Sequence, residues 1–111
     1  MYRQGDVMLI TINEIPKDAR KSNDKQIILA YGEITGHAHV MLTEKGNDVV
    51  AYKNGEDLYL SVFANALLKH GELEKIKTSK GDHDRIQILP GNYQVIRQRE
   101  YTPERIRRVE D

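Results

Sequence analysis

The clearest indication of the fold class of this chain is residues 49–63, with the sequence VVAYKNGEDLYLSVF. It contains two runs rich in β-branched and aromatic residues, 49–53 and 58–63, which lie on either side of Asn54-Gly55. An Asn-Gly pair between apolar runs is the strongest short-range signal for a β-hairpin, because both residues tolerate the positive φ that a tight turn requires. We therefore predict an antiparallel hairpin over this stretch.

Further apolar runs of strand length lie on both sides of the hairpin, separated by residues typical of turns. They predict strands at 6–13, 26–31, 33–42, 85–89 and 93–101. Segment 64–70 fits a short helix and a strand equally well, whereas the polar segments 17–25 and 72–82 predict loops. Thr102 and Pro103 predict the start of a short C-terminal helix, since Thr is a good N-cap and Pro suits the first helical position. This pattern favours an all-β, mainly antiparallel protein, either a small β-barrel or a sandwich, with a short C-terminal helix.

Length and composition narrow the class of protein. The chain has 111 residues, which predicts a single β domain over 1–111. Cysteine is absent, so thiol nucleophiles, disulfides and Cys-type zinc sites are excluded. No apolar run approaches the ~20 residues needed to span a bilayer, and residues 1–6 do not resemble a signal peptide. We expect a cytoplasmic protein without membrane association.

The segment Gly36-His37-Ala38-His39 carries the clearest sign of chemistry. On a strand, residues i and i+2 project from the same face, so His37 and His39 should present two imidazoles side by side. Neutral imidazole is a common ligand for zinc, iron, nickel and manganese. Further ligands could come from His70, from His83 between two aspartates, or from Glu44 beyond the strand. The alternative interpretation is a pair of half-exposed histidines that bond only to their neighbours.

This histidine pair resembles the first metal motif of the cupin family. Gly32 stands upstream of the pair, and four residues separate His39 from Glu44. The turn at Pro90-Gly91 is similar to the family's second motif, but no histidine follows it, so His70 or His83 would supply the third ligand. The resemblance implies a cupin-like barrel that binds a divalent metal (Zn, Fe, Mn or Ni). Such a metal could serve an enzyme acting on a small-molecule substrate that the sequence does not identify, or it could be a structural metal that only stabilises the fold.

The chain also resembles small proteins of bacteria and their phages. These proteins share a Tyr-Arg-Gln-Gly-Asp-Val start, a Gly-His-Ala-His element and a Gln-Arg-Glu-Tyr-x-Pro ending. The corresponding segments here are 2–7, 36–39 and 98–103. The resemblance spans most of the chain and implies no activity.

A second hypothesis is a non-enzymatic module that binds a protein or nucleic-acid partner through its C-terminal region. Alternating Arg and Tyr on one strand face can form a stacking surface. The candidate residues are Tyr93, Arg97, Arg99, Tyr101 and Arg105. Because 17 basic residues are balanced by 17 acidic ones, a nucleic-acid partner is possible but not favoured. Exposed strand edges would also permit a homodimer, although lysines on such edges argue against it.

Overall fold

Two antiparallel β-sheets make up the structure, a computed structural model that describes residues 1–32, 34–76 and 85–98. The strands in chain order are β1 (Tyr2–Gln4), β2 (Val7–Ile12), β3 (Arg20–Lys21), β4 (Ile27–Tyr31), β5 (His37–Thr43), β6 (Val49–Asn54), β7 (Asp57–Val62), β8 (Ala66–Glu72), β9 (Arg85–Ile88) and β10 (Gly91–Arg97). One sheet has six strands in the order β1-β2-β10-β7-β6-β3, and the other has four in the order β4-β5-β8-β9.

The hairpin predicted from Asn54-Gly55 is confirmed. Strands β6 and β7 pair from Val49↔Val62 to Asn54↔Asp57, and Gly55 lies in the turn with φ of 61°. That positive φ is the conformation for which the sequence supplies glycine. Strand β7 is also paired with β10, so the hairpin lies within the six-stranded sheet.

The main hydrophobic core lies between the two sheets. Apolar side chains from alternate strand positions of both sheets meet there, in keeping with the two-residue period of a strand. The largest fully buried ones include Leu9 and Leu60 from the six-stranded sheet and Leu29 and Leu68 from the four-stranded sheet. The two layers therefore share one core.

A second, smaller cluster covers the opposite face of β5. Ala38 and Val40 pack there with Ile76, from the turn that follows β8, and Leu73 packs against them. Strand β5 is consequently covered on both of its faces, which explains why its central residues are buried without alternation.

The expectation of an all-β, antiparallel protein is confirmed, and the part of the chain that the structure describes contains no helix. The two sheets are not closed into a barrel, since β1, β3, β4 and β9 end them as edge strands. The predicted C-terminal helix lies outside the described residues. Within those described residues, no helix is long and apolar enough to cross a bilayer.

Several predicted element boundaries differ from the structure. Strand β5 begins at His37 and not at residue 33, because Gly36 adopts φ of 89° in a turn just before it. The ambiguous segment 64–70 belongs to strand β8, which extends to Glu72. Strand β10 begins at Gly91, within the predicted turn, and the short strands β1 and β3 were not predicted.

Candidate functional site

Pairing between β5 and β8 brings three imidazoles together. In this register His39 lies opposite His70, and His37 lies opposite Glu72. His37 and His39 share the face of β5 that carries Met41, while His70 and Glu72 share the face of β8 that carries Leu68. Met41 and Leu68 both belong to the main core. These four side chains therefore form a two-by-two patch on the inner face of the sheet, at the end of the β5–β8 pairing.

The three rings of this patch are in close contact. The rings of His39 and His70 stack, with centroids 4.3 Å apart and planes inclined by 18°. The ring of His37 is tilted by 58° to that of His70, with centroids 6.2 Å apart. His39 is only 6% exposed, whereas His37 and His70 are half-buried. The patch thus runs from the interior at His39 towards the surface at His37.

The buried side chain of Gln4 fixes the orientation of His39. The Gln4 amide Nε2 donates a hydrogen bond to the backbone carbonyl of Leu68 over 3.1 Å, and its Oε1 lies 2.8 Å from His39 Nδ1. Because a carbonyl only accepts, the amide nitrogen must face Leu68, and Oε1 must then accept a hydrogen bond from the N–H group of Nδ1. In neutral His39 the lone pair is therefore on Nε2, the nitrogen that could bind a metal. Gln4 comes from the six-stranded sheet, so this bond also joins the two sheets.

Two glycines allow the backbone to approach the rings closely. A Cβ atom at Gly5 would lie 3.4 Å from His39 Cε1, at a position whose φ of +57° already favours glycine. A Cβ atom at Gly32 would lie 3.3 Å from His70 Nε2 and 3.4 Å from His37 Cβ. The backbone at these two glycines therefore lies against the imidazoles.

Strand β4 is irregular beside the same patch. Its register on β5 shifts between Ile28, which pairs with Val40, and Ala30, which pairs with His39. Strand β4 therefore has one extra residue, Leu29, at the level of His39. Such bulges bend a strand and are over-represented next to functional sites.

The residues of the patch fit a metal ion by chemistry but not by their present placement. Three imidazoles and a carboxylate are donors typical of zinc, iron, nickel and manganese. However, within residues 1–32, 34–76 and 85–98 no group of three or more His, Cys, Asp or Glu side chains is placed to hold a metal ion. Stacked rings present their faces to each other, whereas ligation requires ring nitrogens to point at one centre about 2.0–2.1 Å away. Metal binding would require at least the His70 ring to rotate out of the stack.

The other two predicted ligands are not seen in this patch. Glu44 is exposed beyond the last residue of β5, in a groove with Asn65, Arg85 and Gln87. At about 3.3 Å per residue it lies roughly 16 Å along the chain from His39, beyond the end of the strand opposite to His37. His83 lies outside the described residues.

Two residues of the predicted Arg/Tyr face, Tyr93 and Arg97, lie within the described part of the chain. Tyr93 is only 4% exposed, because β10 directs it and Val95 into the core. Its hydroxyl donates to the Leu89 carbonyl over 2.7 Å, and burial raises the pKa of this hydroxyl, with the nearby Tyr2 adding to the effect. Arg97 is half-buried and donates to the backbone carbonyl of Glu56. Arg99, Tyr101 and Arg105 lie outside the described residues.

Sequence reasoning missed three residues of the site: Gln4, Gly5 and Glu72. Gln4 lies in a strand of only three residues, too short to show a periodic pattern. The sequence places Glu72 at the start of the predicted loop 72–82. Strand β8 in fact continues through Glu72, and the spacing of two therefore puts Glu72 and His70 on one face.

Comparison with known proteins gives a family and no further relatives. No curated protein matches the chain, and no solved structure does so. The model of a family described as a domain of unknown function, DUF8820, matches residues 3–98, which include Gln4, the three clustered histidines and Glu72. The chain therefore belongs to the DUF8820 family.

Proposed function

We propose that this protein binds a divalent transition metal through His37, His39 and His70. The observation that carries the proposal is the convergence of three of the chain's four histidines on one face of two paired strands. A role in packing alone would be served by apolar side chains, as it is at Met41 and Leu68 on the same face.

The surroundings of His39 support this proposal. A metal-ligating histidine usually donates its other ring nitrogen to an oxygen acceptor, which fixes the tautomer and the orientation of the ring. Gln4 Oε1 occupies that position at 2.8 Å from Nδ1. His39 would therefore ligate through Nε2 with little loss of side-chain freedom, and His37 and His70 would turn towards it.

The proposal leaves the reaction open between catalysis and stabilisation. If the site is catalytic, a bound metal would act as a Lewis acid that polarises a substrate or lowers the pKa of a bound water. The chain's own contribution is then to orient three imidazoles, to hold the His39 tautomer through Gln4, and to shield the inner side of the patch from water. A cupin-like relationship and a cytoplasmic location remain parts of the proposal.

The ligand set proposed here omits Glu44, since it projects beyond the opposite end of β5. His83 remains a candidate ligand from the sequence, and a His83→Ala variant tests it directly. The alternative of a partner-binding Arg/Tyr face is not favoured, because Tyr93 is committed to the core.

The test is metal binding by purified, untagged protein. After dialysis against Zn²⁺, Ni²⁺, Co²⁺ or Mn²⁺, or against Fe²⁺ without oxygen, elemental analysis should find close to one metal per chain with at least one of these ions. We expect His39→Ala and His70→Ala each to lose that metal while the far-UV circular dichroism of the sheets persists, and Glu44→Gln to retain it. A wild type that binds none of the ions, or histidine variants that bind as well as the wild type, would refute the proposal.

A further inference from the structure

We infer that a pocket at the open side of the two-sheet structure binds a small amphipathic anion, namely a carboxylate with an apolar chain. The pocket lies between β4 and β5 of the four-stranded sheet and β3 and β6 of the six-stranded sheet. It reaches Thr43, the last residue of β5, whereas the histidine patch begins at His37, the first residue of that strand. The inference therefore does not depend on the proposed metal site.

The two sheets leave a space on this side of the molecule. Strands β3 and β4 are edge strands of different sheets and are not paired with each other. The chain crosses from β3 to β4 through residues 22–26, and the Ser22 amide ties this crossing to the Ala51 carbonyl of β6 over 2.8 Å. The crossing segment lines one side of the pocket, whose volume is about 380 Å³. That volume lies in the range of about 300–1,000 Å³ typical of sites for small molecules.

The floor of the pocket is apolar and belongs to the main hydrophobic core. Met41, Val49 and Ala51 line the pocket and are buried members of that core. Ile27, which packs against the same core, lines the pocket as well. An apolar chain inserted here would contact core side chains from both sheets. Each methylene group that leaves water in this way should raise the affinity about three- to fourfold.

The rim of the pocket carries positive charge. Lys21 and Lys25 line the pocket and are exposed, and within the part of the chain that the structure describes neither ammonium group is paired with an acid. Asp24, the acid of the lining, lies 2.7 Å from Lys53 Nζ, which compensates its charge. Two uncompensated cations beside an apolar floor complement a ligand that has a negative head and an apolar chain.

Neutral hydrogen-bond donors line the pocket together with the lysines. The hydroxyl of Thr43 and the side-chain amide of Asn47 are both part of the lining, and both groups can donate to a carboxylate oxygen. Exposed ammonium groups contribute little free energy singly, because water screens them. The apolar chain should therefore provide most of the affinity, and the charged rim should select an anion over a neutral molecule of the same length.

The test is a titration of the isotope-labelled protein with butanoate, hexanoate and octanoate, followed by NMR. The affinity should rise about three- to fourfold with each added methylene group. The signals of Ile27, Val49 and Ala51 should shift as the carboxylate is added. Octanol has the same chain without the charge and should bind about three- to tenfold more weakly than octanoate.

A pair of double variants separates the site from general charge attraction. Lys21→Gln/Lys25→Gln should weaken octanoate binding about three- to tenfold and leave octanol binding unchanged. Lys17→Gln/Lys75→Gln removes the same charge from exposed lysines outside the pocket and should keep the wild-type affinity. All four lysines are exposed, so both variants should fold as the wild type does, and circular dichroism checks this.

Three results would refute the inference. The first is a wild type that does not bind octanoate, or whose shifted signals lie away from the pocket. The second is equal binding of octanoate and octanol. The third is an equal loss of octanoate affinity in the two double variants, which would show attraction by the overall charge of the protein and not by this rim.

Discussion

At the scale of single residues, the candidate site depends on small residues that leave room for rings. Gly32 lies between His70 and His37, and its own N–H donates a hydrogen bond to the His37 carbonyl over 2.9 Å. The loop is thus tied to the strand at the place where it approaches both imidazoles. A glycine is needed here for space, since its φ lies outside the positive range that only glycine adopts easily.

The first prediction concerns this close approach. Gly32→Ala would place a Cβ 3.3 Å from His70 Nε2, so we expect a destabilisation of about 1–3 kcal/mol, as for other overpacking substitutions. Gly46→Ala is the matched control, because a Cβ there meets nothing within 4 Å and Gly46 also has no positive φ. Urea unfolding at neutral pH measures both. Equal effects of the two substitutions would show that Gly32 is not constrained by the rings.

We predict that the contribution of Tyr93 to the stability of the protein falls at alkaline pH. Burial raises the pKa of its hydroxyl above the unfolded value of about 10, so the folded state keeps the proton that the unfolded state gives up. The stability from this residue is therefore fully present below about pH 10 and is lost as the pH rises through the higher folded pKa. Tyr93→Phe should cost about 0.5–1.5 kcal/mol at pH 7, through loss of the bond to Leu89, and this difference should shrink above pH 10.

Urea unfolding of both proteins between pH 7 and 11 measures this dependence. Comparing wild type and variant at each pH removes the contribution of the other titrating groups. A difference that stays constant across the range would contradict the role given to burial.

At the scale of elements, strand β5 connects the two clusters of apolar side chains. Its inner face carries the histidines and Met41, while its outer face carries Ala38 and Val40 under the turn at residues 73–76. That turn is tied to the start of β5 by a hydrogen bond of 2.8 Å from the Leu73 amide to the Gly36 carbonyl. Packing on the outer face therefore helps to hold the histidine face in position.

We predict that Ile76, only 1% exposed, anchors this turn. Ile76→Ala should destabilise the protein by about 2–5 kcal/mol, the range for removing a buried aliphatic side chain. Ile34→Ala provides the control, because Ile34 is 65% exposed and should change stability by less than about 0.5 kcal/mol. Thermal or urea unfolding distinguishes the two, and a small effect at Ile76 would show that the turn does not depend on it.

The elements that the sequence predicts well are those with a strong local signal. Asn54-Gly55 located the hairpin, because the tight turn requires the positive φ of Gly55, although Asn54 itself is the last residue of β6. The same-face arrangement of His37 and His39 also followed from the strand period alone. Strand β1 was not predicted, because a strand of three residues is too short to show a periodic pattern. The strand position of Glu72 was not predicted, because the charged residues at the end of β8 weaken its strand signal. The pairing of β5 with β8, which brings His70 to His39, depends on contacts 31 residues apart that no local pattern reveals.

At the scale of the whole molecule, the two sheets form one packing unit. The main core takes side chains from both layers, and the buried Gln4 crosses between them through its bonds to Leu68 and His39. A domain of this size is stabilised by only about 5–15 kcal/mol, so neither sheet should persist when the shared core is lost.

We therefore predict a single cooperative unfolding transition. Leu60→Ala in the six-stranded sheet and Leu29→Ala in the four-stranded sheet should each lower the stability of that same transition by about 2–5 kcal/mol. Far-UV circular dichroism and the fluorescence of the six tyrosines should give coincident curves in both variants. Two separated transitions, with each substitution affecting only one, would contradict a shared core.

The contact between Gln4 and His39 also affects how the protein should be purified for metal analysis. The first strand begins at Tyr2, and two residues later the chain touches the innermost histidine. A polyhistidine purification tag fused directly before Met1 would place extra imidazoles beside the proposed ligands. Such a tag could supply a metal with ligands that the native chain does not have, so preparations for metal analysis should have it cleaved off or fused elsewhere.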